Sequence, residues 1–173
     1  MMAKEAMKLI SNHLLPVYNG DGTAKDWDAI TFASTLGGMA IGLAGVTLPH
    51  AMEHPASGLR DIVYGKGLAA LTPAITGISV QKASEVSDDE VLEKYATISH
   101  ILGGIDEQDC EVRIRELLGK LDMTINFSDL GMEKKDVEWM SENCMKVSAA
   151  GVGNHPAEFS QAEILEIYKS VYI

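Results

Sequence analysis

Apolar positions recur at helical spacing from one end of the chain to the other, and no alternating strand pattern runs longer than four residues. Ala6, Met7, Leu9, Ile10, Leu14 and Leu15 mark a first helix over 3–15, which Pro16 allows to end, and Asn19-Gly20-Asp21-Gly22 follows as turn chemistry. From about Lys25 to Leu48 the pattern predicts a long buried helix. Trp27, Ile30, Phe32 and Ala33 give it a packing face, and Gly38, Ala40, Gly42, Ala44 and Gly45 give it a small-residue surface for close helix approach. Each glycine there costs about 1 kcal/mol of helix propensity, which packing must offset. A further helix runs to Leu71, with a break or kink at Pro73 and a polar linker over 79–86. Ser87 with Glu90 reads as a capping box ahead of Val91, Leu92, Tyr95 and Ile98, and Gly103-Gly104 stops that helix. Helices over about 106–121 and 133–147 follow, separated by an irregular stretch at 124–131. A loop over 149–159 comes next, then a second capping box, Ser160 with Glu163, opens a last helix to about Val171. The sum is an all-α bundle of about seven helices in a single domain over 1–173, with mostly short connections as in antiparallel bundles.

Composition narrows the classes. At 173 residues the chain can bury roughly 70% of the surface its unfolded form exposes, enough for a core without staples. Cys110 and Cys144 do not make a disulfide framework and there is no CxxC, so both read as core or half-buried thiols in a reducing, cytoplasmic protein. The net charge of −11 argues against nucleic acid and anionic membrane surfaces as partners. Ala29 to Pro49 carries no charge and is long enough to span a bilayer. Its threonines, its glycines and its lack of flanking basic clusters favour a buried central helix over a membrane span. The first residues, MMAKEAMKLI, lack the basic start and apolar block of a signal peptide.

The chemically suggestive stretch is Gly45 to Leu71, GVTLPHAMEHPASGLRDIVYGKGLAAL. His50 and His54, four apart, fall on one helical face and could bind Fe²⁺ or Zn²⁺ through neutral imidazole, but two ligands are not a site. A hydrogen-bonded histidine pair is the equal alternative. Glu53 falls on another face and reads as a solvated or capping carboxylate. His155, between Asn154 and Pro156, could approach a pocket, although a turn histidine is the default; His13 and His100 read as structural. No phosphate cradle, no nucleophile elbow and no Asp-x-x-x-His is present.

Taken together, STLGGMAIGLAGVTLPHAMEHPASGLRDIVYGKGLAALTP resembles the C-terminal helical domain of the iron-containing, group III alcohol dehydrogenases. A small-residue helix is followed by His-x-x-x-His, a glycine, and an apolar run ending in proline. MTINFSDLGMEKKDVEWM resembles that family's late linker and NHPAEFSQAEILEIYKSVY its C-terminal ending, so the likeness covers essentially the whole chain. It implies a dehydroquinate synthase-like helical domain whose partner is an N-terminal nucleotide-binding domain. One Asp and three His there hold Fe²⁺, or Zn²⁺, and hydride passes between an alcohol and NAD(P). By this resemblance His50 falls on a metal-ligand position and His54 on the histidine beside nicotinamide and substrate. Tyr64, in VYGKG, falls on a further ligand position where the family has histidine. A phenol with a pKa near 10 is a poor ligand for Fe²⁺, so Tyr64 is expected not to bind metal. The resemblance also places the Asp-x-x-x-His helix and the nucleotide domain upstream of residue 1. The expectation is therefore a helical portion inactive alone, binding neither metal nor NAD(P) by itself, which works with a complementary nucleotide-binding chain and self-associates. The alternative is a non-catalytic binding or assembly module.

Overall fold

The computed structural model describes residues 1–172, which contain nine α-helices and no strand. They are α1 (Met2–Tyr18), α2 (Ala24–Ala44), α3 (Leu48–Arg60), α4 (Tyr64–Glu85), α5 (Asp89–Ile101), α6 (Cys110–Lys120), α7 (Asp136–Val147), α8 (Ala149–Gly153) and α9 (Gln161–Ser170). A short 3₁₀ turn, Glu107–Asp109, leads into α6. The helical bundle is as the hydrophobic periodicity predicts. The two additional helices arise where Asp61, in the left-handed region, separates α3 from α4, and where α8 forms inside the expected loop.

α4 is the axis of the molecule and packs on α3, α5, α6 and α9. It runs unbroken through Pro73, contrary to the expected break, and through 79–86, contrary to the expected linker. Pro73 forfeits one backbone hydrogen bond and costs about 3 kcal/mol inside a helix. Burial of Leu71 and Ile75 on the neighbouring turns, each worth roughly 1.5–3 kcal/mol, outweighs it. The serines that read as linker are satisfied within the helix, Ser79 donating to the Ile75 carbonyl and Ser84 to that of Val80. The main core gathers Met52, Leu71, Ile75, Phe127, Met140, Ile164, Ile167 and Tyr168. Both cysteines are free and buried, and burial pushes their thiols up to about 11 at Cys110 and about 12 at Cys144.

The largest departure concerns α2. Its packing partner is α1, through a small separate cluster of Ala6, Ala33 and Leu36. Of its own residues only Ala33 and Leu36 are buried. Trp27 is 57% exposed, Phe32 55% and Leu43 79%, so the expected buried central helix presents most of its apolar circumference to solvent. The α1–α2 hairpin meets the main body chiefly where α1 lies on α5 and Ser11 donates to the Ile101 carbonyl. No single helix among the described residues is long and apolar enough to cross a membrane; α2 and α3 together pass that test only as a pair bent by 99°.

The two caps came out differently. Ser160 and Glu163 form the expected capping box at α9. At α5 the cap is Asp88, whose carboxylate accepts from the Val91 backbone N–H, while Ser87 takes a left-handed turn conformation. The cap thus sits one residue later than the Ser87 pattern suggested.

Candidate functional site

The site lies where α3 and α4 meet. Thr47 and Pro49 open α3, and Gly45, with φ 72°, turns the chain into it. Asn154 Nδ2 holds that turn by donating to the carbonyls of Ala44 and Val46, at 2.8 and 3.0 Å. The four-residue spacing then sets both α3 imidazoles on one face, as expected, and both look at Tyr64, the first residue of α4. Ring centres lie 5.7 Å apart for His50 and Tyr64 and 5.9 Å for His54 and Tyr64.

His50 Nδ1 lies 2.6 Å from the Tyr64 hydroxyl. A phenol is the weaker base of the two, so its O–H donates and the neutral imidazole accepts. Burial, and then the neighbouring His54, hold His50 below its ordinary pKa; burial, and then the Glu53 carboxylate, push Tyr64 above its own. The phenol therefore keeps its proton at neutral pH. His54 is exposed, and its Nδ1 lies 3.2 Å from the hydroxyl of Ser148 at the end of α7.

Glu53 is corrected outright: it is neither solvated nor a cap but fully buried. Its Oε1 accepts from Ser57, its Oε2 has no partner, and burial raises its pKa against the pull of the Ser57 hydroxyl. The helical phase that puts the histidines toward α4's first turn puts Glu53 against Gly67, one turn on. Sequence spacing could not reveal this, because Gly67 accommodates the carboxylate by having no side chain. Ser148 was missed as well, since its approach to His54 depends on how α7 packs on α3.

The other histidines serve the framework. His155 is half-buried, with Nε2 2.9 Å from Ser79 Oγ, its ring edge-on to Phe159, and its pKa driven down to about 4 by burial. It lines no site with His50. His13 pairs with Asp26 at 2.7 Å, and His100 meets the Ile105 carbonyl.

Whether these residues suit a divalent metal turns on the donor set. It contains two imidazoles, one of them bonded to a protonated phenol and the other to a serine hydroxyl. Among the described residues no group of three or more His, Cys, Asp or Glu side chains could hold a metal. The set does not fit the iron centre that the resemblance implies.

Residues 1–172 match the model of the Fe-containing alcohol dehydrogenase family, C-terminal part. The chain is 28% identical to a long-chain primary alcohol dehydrogenase of Thermoanaerobacter ethanolicus, over 99% of this chain and 43% of that protein. It is 26% identical to a 1,3-propanediol dehydrogenase of Citrobacter freundii, over 98% and 43%. Among solved structures it superposes on an archaeal halo-thermophilic alcohol dehydrogenase from a Red Sea brine pool with a TM-score of 0.90 at 26% identity, covering 98% of this chain and 43% of the other. The chain thus spans less than half the length of the relatives it matches.

Proposed function

The chain belongs to the iron-containing alcohol dehydrogenase family, and on that premise we propose that it is the helical, substrate-side portion of an NAD(P)-dependent alcohol dehydrogenase. The parent reaction is interconversion of a small alcohol and its aldehyde by hydride transfer. The observation that carries this reading is the convergence of His50, His54 and Tyr64 at the α3–α4 junction of the family's scaffold. His54, exposed and held by Ser148, is the residue assigned to the nicotinamide and substrate. Alone, the chain turns over nothing. Its partner is a complementary polypeptide that brings the nucleotide-binding part, and the bare face of α2 is where the two meet. The support for that occupant is that relatives carry more than half of their length beyond the portion matched here. Without the partner, the same face pairs with a second copy of the chain.

The test is to mix the chain with the nucleotide-binding half of the Thermoanaerobacter ethanolicus enzyme and follow mass by light scattering and NADPH or NADH oxidation with a short aldehyde. Association, with no turnover by the chain alone, is expected. Turnover by the isolated chain, or failure to associate, overturns the proposal.

One observation favours a second reading, a non-catalytic assembly module: the Tyr64 hydroxyl occupies Nδ1 of His50. An assembled complex without turnover selects this reading, and one with turnover selects the first.

A further inference from the structure

We infer that Tyr64 excludes a divalent metal from this site, and that His50 serves here as a hydrogen-bonding residue. The argument is geometric. Two ligand atoms on one Zn²⁺-sized cation, each about 2.0–2.1 Å from it, stand roughly 2.8–3.4 Å from each other at octahedral to tetrahedral angles. His50 Nδ1 and the Tyr64 oxygen are 2.6 Å apart. That separation holds a proton between them and leaves no room for a cation. His54 uses the same nitrogen for Ser148 Oγ, at 3.2 Å, so in both histidines Nδ1 is engaged within the protein.

The exclusion resides in one side chain and not in a collapsed scaffold. Imidazoles that share a cation place their ring centres roughly 4.5–5.3 Å apart on the same bond lengths. The rings of His50 and His54 lie 5.7 and 5.9 Å from that of Tyr64, so residue 64 faces both at a little more than ligand distance. The aromatic ring stands where a ligand ring would, with an O–H group filling the space for the ion. An imidazole in its place would present a lone pair to a cation shared with His50, with His54 in reach.

The inference rests on family membership and the local geometry and holds whether or not a complementary polypeptide is found. Its test is cobalt uptake by the chain itself, read by visible absorption and elemental analysis. The proteins compared are the natural chain, Tyr64→His, and Tyr64→His combined with His50→Ala, each checked for folding by circular dichroism. The natural chain is expected to take up no stoichiometric Co²⁺, Tyr64→His one ion per chain, and the double variant none. One Co²⁺ on the natural chain, lost in His50→Ala, overturns the inference. So does a folded Tyr64→His that takes up no metal, which would place the exclusion elsewhere. Should Tyr64→His fail to fold, Tyr64→Glu takes its place: Co²⁺ uptake by it and not by the natural chain upholds the inference, and no uptake by either overturns it. Metal uptake reads this inference and association reads the functional proposal, so either can fail without the other.

Discussion

The carboxylate of Glu53 occupies the space that a side chain on Gly67 would need. A Cβ at residue 67 would come within 2.8 Å of both Cγ and Oε1 of Glu53 and 3.1 Å of Ile62 Cδ1. This contact sets how closely α3 approaches α4, and so how far His50 and His54 stand from Tyr64. Gly67→Ala is expected to destabilise the fold by about 1–3 kcal/mol, the usual cost of overpacking. Combined with Glu53→Ala, which empties the space, it should cost less than the two single substitutions added, by roughly 1 kcal/mol. Urea unfolding of the four proteins in the cycle measures this, and strict additivity would mean that the helices move apart instead.

Acid sensitivity should trace to His155. Burial holds its folded pKa at about 4, against an unfolded value of 6.5. Between those values the unfolded chain binds the proton and the folded chain does not, so stability falls as pH drops from about 6.5 to about 4 and is flat above. At about 1.36 kcal/mol per unit, the full loss is roughly 3 kcal/mol. His50, also depressed by burial and by His54, adds to the same window. Glu163, lowered to about 2 chiefly by Lys82, acts below it, from about pH 4.5 down. Stability should fall more between pH 7 and pH 4.5 in the natural chain than in His155→Gln, which keeps the share of His50; equal falls would remove His155 from the account.

Local chemistry was legible in the sequence, and packing was not. Ser160 and Glu163 could be read as a cap because both hydrogen bonds close within three residues: Ser160 N donates to Glu163 Oε2 at 2.8 Å, and Glu163 N to Ser160 Oγ at 3.3 Å. The histidine face was legible for the same reason, since His50 and His54 are one helical turn apart. The continuity of α4 through Pro73, the burial of Glu53 and the link from His54 to Ser148 depend on neighbours distant in sequence, and no periodicity encodes them. The readable part makes its own prediction. Ser160→Ala should lower stability by about 1 kcal/mol with an unchanged denaturant slope, because it removes a cap and leaves the core intact. A loss near zero would mean that the Lys82–Glu163 ion pair alone fixes the start of α9.

The exposure of α2 leads to the last prediction. Periodicity and small residues gave this helix every mark of a buried element, yet Met39, Ile41 and Leu43 near its end face solvent, and Gly37, Gly38 and Gly42 have open space above them. On the proposed assembly, this exposed apolar face is the contact surface. Met39→Lys with Leu43→Lys should therefore leave the stability of the isolated chain within about 0.5 kcal/mol, as exposed positions do. The same pair should abolish self-association and binding of the complementary half, because each charge would have to be desolvated in the contact. Light scattering across a concentration series, beside thermal unfolding, separates the two effects. A stability loss of several kcal/mol in the isolated chain would show that α2 is packed after all. Unchanged association would move the contact to another face of the bundle.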